Sequence, residues 1–99
     1  MWRKVASVGD VWSGEMVGLC VEGRRLLLVR VGDTLCAYED RCAHQGVELS
    51  RGRLEGRVLT CWAHEWQYDV VTGEGLNPNG VTLRRLPLEL RDGEIHVDL

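Results

Sequence analysis

Two short segments that pair a cysteine with a histidine constrain this 99-residue chain more than any other feature. The first reads Cys42-Ala43-His44, and after sixteen intervening residues the second reads Cys61-Trp62-Ala63-His64. Together they supply two thiolates and two imidazoles, which is a complete set of ligands for a metal centre. Because a chain of this length holds only one modest core, we expect a small fold that presents two tight ligand loops.

The alternation of Cys with His within each segment indicates which metal centre is formed. In one class of [2Fe–2S] centre, two Cys hold one iron and two His hold the other. Zinc modules more often pair Cys with Cys and His with His, so the alternation favours the diiron cluster. A structural zinc site with the same four ligands and a cysteine nucleophile with a histidine base are the alternatives.

Strand patterns dominate the two ends of the sequence. Residues 17–21 and 26–31 are rich in Val and Leu and flank Glu22-Gly23, which predicts a hairpin, and residues 34–38 predict a third strand. Near the end, apolar residues alternate from Leu86 to Leu99 on both sides of Asp92-Gly93. Asp-Gly is a favoured hairpin turn, so we expect a terminal hairpin that pairs with strands from the first forty residues.

The middle of the chain has shorter apolar runs and more turn-forming residues. Residues 57–60 and 67–71 predict short strands, residues 77–80 predict a turn, and no stretch has a convincing helical period. We therefore predict one all-β domain over residues 1–99, an antiparallel β-sandwich or a small barrel with an irregular, loop-rich insertion in the middle. Its base comprises about residues 1–39 and 83–99, and a small insertion of about residues 40–82 carries the ligand loops.

Charge and hydropathy exclude several function classes. The net charge is −3, with arginines interleaved among acids, so nucleic-acid binding has no support. The longest strongly apolar run, residues 26–29, is far too short to cross a bilayer. With no apolar signal segment near the N-terminus, we expect a cytoplasmic protein, in which a set of four cysteines binds metal more often than it forms disulfides.

At these segments the chain resembles the Rieske ferredoxins. Residues 42–46, Cys-Ala-His-Gln-Gly, and residues 61–64, Cys-Trp-Ala-His, resemble the two cluster-binding loops of that family. The resemblance implies a Rieske-type sandwich with an inserted cluster-binding subdomain and one [2Fe–2S] cluster. It also assigns the ligands, which are Cys42, His44, Cys61 and His64.

Two further segments narrow the resemblance. Residues 10–16 and 75–78 are similar to ferredoxins of bacterial multicomponent monooxygenases that oxidise toluene and alkenes. That resemblance implies a monomeric carrier, not an enzyme, which takes electrons from an NADH-dependent flavin reductase and passes them to a diiron hydroxylase. The alternatives are the ferredoxin of an aromatic-ring dioxygenase, a small subunit like those of nitrite reductases, and a zinc-stabilised binding module.

Departures from the respiratory Rieske proteins bear on the redox potential. Val47 and Ala63 stand where those proteins resemble each other in having a disulfide, and Trp66 stands where they have a serine donor to a sulfur. Tyr68 stands where those proteins have a tyrosine, whose hydroxyl is a second donor if it reaches a cysteine sulfur. Hydrogen bonds to the sulfurs tune the potential, so we predict a value in the lower half of the Rieske range of roughly −150 to +300 mV.

Other residues have expected roles around the cluster or in the core. Trp66 is expected to shield the cluster and contact partners, Glu65 to steer a basic partner surface, and Pro78 to lie on a third loop over the cluster. Cys20 and Cys36 are expected to be buried thiols, His96 to face solvent or lie at an edge, and Trp2 and Trp12 to pack in the core. The full set of residues expected around the ligands or at the docking surface is Gln45, Gly46, Ala63, Glu65, Trp66, Tyr68 and Pro78.

Overall fold

A computed structural model describes residues 1–43, 46–63 and 65–99 of the chain. Those residues form eleven β-strands and two short 3₁₀ turns, Val8–Asp10 and Leu49–Arg51. The described part contains no α-helix, which confirms the all-β prediction. The strands are β1 (Trp2–Ser7), β2 (Met16–Val21), β3 (Arg24–Val31), β4 (Thr34–Glu39), β5 (Arg53–Glu55), β6 (Val58–Thr60), β7 (Gln67–Asp69), β8 (Gly75–Asn77), β9 (Arg85–Leu86), β10 (Leu88–Arg91) and β11 (Glu94–Asp98).

The strands form three antiparallel sheets. The terminal sheet has the order β1-β11-β10, the central sheet β2-β3-β4-β9, and the insertion sheet β5-β6-β7-β8. Every strand of the insertion sheet lies between residues 53 and 77, inside the predicted insertion. The exact subdomain boundaries near residues 40 and 82 stay a prediction.

The predicted hairpins are confirmed with their turns. Strands β2 and β3 pair up to Val21 and Arg24, and Glu22 and Gly23 between them have φ of 51° and 79°. Asp92 and Gly93 connect β10 to β11 with φ of 50° and 78°. Positive φ at both central residues is what a type I′ turn requires, and it matches the twist of the strands on either side.

The terminal hairpin is shorter than its apolar alternation predicted. Leu86 lies in β9 and pairs with Ala37 of β4, in the central sheet, while β10 begins after Pro87 and pairs with β11. Proline has no N–H to contribute to a ladder, which fits a change of sheet at this position. Leu90, expected on the apolar face, is 51% exposed and lies on the edge strand β10.

Strand β3 is apolar on both faces because the central sheet separates two cores. Leu26 and Leu28 pack in one core with Ile95 of the terminal sheet. Leu27 and Val29 point the other way, into the core that the insertion contributes to. Successive side chains of a strand point to opposite faces, so a strand covered on both sides has a continuous apolar run.

Tyr38 and Arg85 connect the central sheet to the insertion. The Tyr38 hydroxyl donates to the Val70 carbonyl at 2.7 Å, and Arg85 donates to the Val71 carbonyl at 3.0 Å. Burial, followed by the neighbouring Cys36 thiol, raises the pKa of Tyr38 to about 12, so its hydroxyl stays protonated and available as a donor. These bonds anchor the turn that follows β7.

A buried carboxylate makes a second connection, close to the first ligand segment. Asp40 is 3% exposed and accepts hydrogen bonds from the Ser50 amide at 2.8 Å and the Ser50 hydroxyl at 2.6 Å. Both groups lie against Gly18 of β2, where an added Cβ would lie 2.6 Å from the Ser50 hydroxyl oxygen. Gly18 therefore leaves room for this pair between the sheet and the loop.

Several expectations about single residues were wrong. Cys36 is buried as predicted, but Cys20 is exposed on the edge strand β2. Trp12 is 70% exposed and Trp2 37% exposed, so neither lies in the core. The strand pattern around Cys20 predicted a strand without showing which of its faces is covered.

His96 also differs from its prediction, because β11 is the central strand of its three-stranded sheet and not an edge. Its side chain is only 17% exposed. Within the described part of the chain its Nε2 makes no hydrogen bond and lies 3.8 Å from Glu94.

In residues 1–43, 46–63 and 65–99, the structure contains no helix long and apolar enough to span a membrane.

Candidate metal centre

The two cysteines of the ligand segments are buried at the starts of two loops. Cys42 follows β4 and is 3% exposed, and Cys61 follows β6 and is 1% exposed. Both cysteines belong to the same hydrophobic core, which also contains Tyr68. Two strands of different sheets therefore deliver one thiol each to one apolar region.

The first cysteine loop, residues 42–47, is closed by backbone hydrogen bonds. The Cys42 amide donates to the Val47 carbonyl at 2.8 Å, and the Gly46 amide donates back to the Cys42 carbonyl at 2.9 Å. These two bonds fix the position of Cys42 relative to the far end of the loop.

The second cysteine loop, residues 61–66, is closed in the same way. The Cys61 amide donates to the Trp66 carbonyl at 2.7 Å, and the Glu65 amide donates to the Cys61 carbonyl at 3.0 Å. The donor and acceptor positions, counted from each cysteine, are the same as in the first loop. The two loops are therefore closed by equivalent hydrogen bonds although the Cys–His spacings of their sequences differ by one residue.

Both loops place their fifth residue in the left-handed region of backbone conformation. Gly46 has φ of 70° and Glu65 has φ of 56°. Glycine adopts this conformation without cost, whereas a residue with a side chain does not. Glycine suits this conformation at position 46, whereas at position 65 a glutamate adopts it.

Tyr68 reaches a cysteine sulfur, as its position in the sequence suggested. Its oxygen lies 3.3 Å from Cys42 Sγ and accepts a hydrogen bond from the Ala43 amide at 3.2 Å. Since the amide can only donate, the hydroxyl hydrogen is available to the sulfur. Burial, and next its contact with Cys42, raises the pKa of Tyr68 above its ordinary value, so the hydroxyl remains protonated.

The other residues expected around the ligands have mixed outcomes. Ala63 and Trp66 are partly buried and pack against the hydrophobic core that contains the two cysteines, while Glu65 is exposed. Pro78 is half-buried on the turn after β8, and its position over the cluster stays a prediction. His44, Gln45 and His64 lie outside the described residues.

Sequence reasoning missed Arg51 as a residue of this region. Its guanidinium carbon lies 5.0 Å from the centre of the Trp62 ring, in the second cysteine loop. Trp62 itself is 50% exposed. Ten residues lie between the two in the sequence, and no motif relates them, so only the folded chain shows the contact.

The residues present fit an iron–sulfur cluster on chemical grounds. Buried thiols at the starts of two matched loops can ligate as thiolates, and a protonated hydroxyl next to one sulfur can donate to it. Together with the antiparallel β-fold, this site defines a metal-binding β-protein with ligands from two loops.

The comparison with protein families agrees with this assignment. The model of the Rieske [2Fe–2S] domain matches residues 1–87. The chain therefore belongs to the Rieske [2Fe–2S] domain family, and its cofactor is one Rieske-type [2Fe–2S] cluster.

Relatives of known role are ferredoxin components of oxygenase systems. The chain is 42% identical over 92 residues to the ferredoxin component of the alkene monooxygenase system of Xanthobacter autotrophicus, covering 92% of this chain and 75% of that protein. It is 30% identical over 99 residues to the ferredoxin component of the naphthalene 1,2-dioxygenase system of Pseudomonas putida, covering 99% and 95%. These relatives are electron carriers, so the chain is an electron-transfer component and not the catalyst.

A solved structure shows the same fold in a related system. The chain superposes with a TM-score of 0.88, at 35% identity, on a chain in the complex of reduced oxygenase and oxidized ferredoxin of carbazole 1,9a-dioxygenase. The match covers 97% of this chain and 91% of that one. The Rieske-type antiparallel sandwich predicted from sequence is therefore confirmed.

Proposed function

We propose that this protein is a ferredoxin that passes single electrons from an NADH-dependent flavin reductase to the diiron hydroxylase of an alkene or aromatic monooxygenase. The observation that carries the proposal is the pair of matched loops with buried cysteines, in a chain 42% identical to an alkene monooxygenase ferredoxin component. The cytoplasm, where NADH is available, is the expected location.

The ligand assignment is part of the proposal. Cys42 and Cys61 hold one iron, and His44 and His64 hold the other, as in a Rieske centre. In support, both cysteines are buried and their loops close through equivalent hydrogen bonds. Replacing either histidine by alanine should abolish the Rieske absorption and resonance spectra.

The number of histidines in the chain also supports a carrier role. The chain has three histidines, so a second iron site of two histidines and a carboxylate has only His96 available. His96 lies on β11 of the terminal sheet, away from the insertion that carries the loops. The oxygenation chemistry therefore belongs to a separate polypeptide.

A dioxygenase system is the second candidate for the terminal partner. The relative from the naphthalene 1,2-dioxygenase system covers the whole chain at 30% identity, and the carbazole 1,9a-dioxygenase complex superposes closely. The higher identity to the alkene monooxygenase component favours the monooxygenase.

Reconstituted turnover separates the two candidates. The purified holoprotein, a flavin reductase and NADH are combined with the terminal oxygenase of either the Xanthobacter alkene monooxygenase system or the Pseudomonas naphthalene dioxygenase system. We expect product formation with the alkene monooxygenase oxygenase and little with the other. The reverse preference would assign the chain to a dioxygenase, and a holoprotein that transfers electrons to neither would contradict the proposed function.

A further inference from the structure

The 3₁₀ turn Leu49–Arg51 lies between the two cysteine loops in the sequence. Leu49 is fully buried in the hydrophobic core that also contains Cys42 and Cys61. Gly52, which follows the turn, donates its amide hydrogen to the Leu49 carbonyl at 2.9 Å. The turn is therefore anchored in the core by its first residue and closed by its own hydrogen bond.

The middle of the turn is bound to the segment that enters the first cysteine loop. The amide and the hydroxyl of Ser50 donate to the two carboxylate oxygens of Asp40, at 2.8 and 2.6 Å. Asp40 is 3% exposed and stands two residues before Cys42. The Asp40 amide donates to the Arg25 carbonyl of β3 at 3.0 Å, so the contact is fixed to the central sheet. Breaking a bond to a buried carboxylate is costly, because the charged group is then left unsatisfied.

The end of the turn packs against the strand that enters the second cysteine loop. A Cβ added to Gly52 would overlap the carbonyl oxygen of Thr60, the residue directly before Cys61. The two backbones therefore approach more closely than any side chain permits. Gly52 has φ of −81°, which residues with a side chain also adopt, so glycine is required here for space and not for conformation. Arg51 adds a contact with the second loop, because its guanidinium carbon lies 5.0 Å from the centre of the Trp62 ring.

We propose that Ser50 and Gly52 are positioning residues for the [2Fe–2S] cluster, and that the segment between them sets the separation of the two cysteine loops. Two residues span at most about 7 Å of chain, so the backbones that precede Cys42 and Cys61 are held at one short distance. Two thiolates on one iron need that distance to be fixed. Groups that orient metal ligands change metal affinity by roughly 10–100-fold. The proposal rests on the assignment of both cysteines as ligands, which is part of the function proposed above.

The contact at Gly52 has a matched control in the other 3₁₀ turn, Val8–Asp10. Gly52→Ala places a methyl group against the Thr60 carbonyl and forces the turn away from the second loop. At Gly9 an added Cβ would have no described atom beyond its chain neighbours within 4 Å. Neither glycine has a positive φ. Gly9→Ala therefore makes the same chemical change without a steric conflict.

The contact at Ser50 has a second pair of variants. Ser50→Ala removes the hydroxyl bond to Asp40 and leaves the backbone bond in place. Ser13→Ala, its control, removes a hydroxyl that accepts from the Gly32 amide at 2.8 Å, in the segment between β1 and β2. Val97→Ala is the control for stability alone, because Val97 is fully buried in the core between the terminal and central sheets.

The experiment measures how fast each oxidised holoprotein loses its cluster to an iron chelator, at a temperature well below the melting transition of every variant. Visible absorbance follows the loss, and electron paramagnetic resonance of each reduced variant gives the line widths. We expect Gly52→Ala and Ser50→Ala to lose the cluster roughly tenfold or more faster than the wild type. Their resonance lines should be broader, because the loops no longer hold one geometry. Gly9→Ala and Ser13→Ala should match the wild type, and Val97→Ala should melt lower but keep the wild-type line width.

Each result decides a separate question. Cluster loss at the wild-type rate in Ser50→Ala would overturn the proposal, even if Gly52→Ala does not fold. Equally fast loss and equally broad lines in Val97→Ala would also overturn it, because the effect would then follow stability and not the spacing of the loops. A wild-type protein that shows no cluster signal would contradict the ligand assignment itself, whatever the variants do.

Discussion

At the scale of single residues, Tyr68 has the most direct connection to the redox chemistry, because its hydroxyl lies 3.3 Å from Cys42 Sγ. A bond to the sulfur stabilises the reduced cluster more than the oxidised one, since reduction adds negative charge. Replacing Tyr68 by phenylalanine should therefore lower the potential. If the differential energy is that of an ordinary hydrogen bond, about 0.5–1.5 kcal/mol, the one-electron shift is about 20–65 mV, measured by redox titration.

Tyr38 provides the control for that titration. It is equally buried, but its hydroxyl donates to the Val70 carbonyl. Tyr38→Phe should lower stability, since it leaves a carbonyl without its donor, while the potential stays close to that of the wild type. A Tyr68→Phe potential equal to the wild-type value would show that the hydroxyl does not bond the cluster sulfur.

Glu65 has a backbone conformation that is poorly suited to a residue with a side chain. Its φ of 56° lies in the left-handed region, which costs a non-glycine residue about 1–2 kcal/mol. Glycine avoids this cost, but it also gives the unfolded chain more conformational entropy, which offsets about 0.4–1 kcal/mol of the stabilisation. We expect Glu65→Gly to raise the unfolding free energy of the holoprotein by about 0.5–1 kcal/mol, measured in urea.

A glutamate in ordinary conformation gives the contrasting result. Glu74 precedes β8 and does not have a positive φ, so Glu74→Gly should lower stability by about 0.5–1 kcal/mol. Equal effects of the two substitutions would contradict the conformational argument.

At the scale of elements, Asp69 holds the turn between β7 and β8. Its carboxylate accepts hydrogen bonds from the Val71 amide at 2.9 Å and from Arg57 at 3.0 Å. Burial favours the protonated form, but these bonds and the Arg57 charge outweigh it and hold the pKa of Asp69 below its ordinary value. The turn is the segment that Tyr38 and Arg85 anchor to the central sheet.

The depressed pKa gives the turn a pH dependence of defined sign. The stabilisation is present above the unfolded-state pKa and is lost as pH falls through the lower folded-state pKa. Asp69→Asn should therefore melt below the wild type at neutral pH, and the two should converge as the pH falls below 4 or so. A difference between Asp69→Asn and wild type that does not change with pH would contradict the linkage.

At the scale of the whole molecule, the terminal hairpin covers one face of the central sheet. Ile95 and Val97 of β11 are fully buried in the core with Leu26 and Leu28 of β3. Ending the chain before Pro87 would remove both strands and expose this core. We expect the truncated chain to have no cooperative thermal transition, measured by circular dichroism.

Leu90 is the control for this prediction. It lies on the same hairpin but is 51% exposed, so Leu90→Ala should leave the melting temperature within a few degrees of the wild type. A truncated chain that melts like the wild type would show that the hairpin is dispensable.

The sequence predicted most of the strands and turns that depend on local residue pattern. The β2–β3 and β10–β11 hairpins follow from apolar alternation and turn residues. The polar strand β1 was missed because its partner β11 lies at the other end of the chain, and β5 and β8 were missed because three residues are too few to give a recognisable pattern. Exposure failed at Cys20, Trp2 and Trp12 because it depends on which parts of the folded chain cover each residue, and the Arg51–Trp62 contact could not be anticipated for the same reason.

The ligand site shows the same division. Residue type and spacing were enough to nominate the four ligands, and the position of Tyr68 suggested its contact with a sulfur. The equivalent closure of the two loops, and the positive φ shared by Gly46 and Glu65, are properties of the folded backbone. The redox potential depends on these contacts. The sequence alone therefore predicts only that the potential lies in the lower half of the Rieske range.

The most direct test of the central claim is electron paramagnetic resonance of the dithionite-reduced protein, including the hyperfine couplings of nitrogen. A [2Fe–2S] cluster held by Cys42, Cys61, His44 and His64 should give a rhombic signal with an average g below the free-electron value and couplings from two histidine nitrogens. A colourless, silent protein with one bound zinc, or a cluster signal without nitrogen couplings, would contradict it.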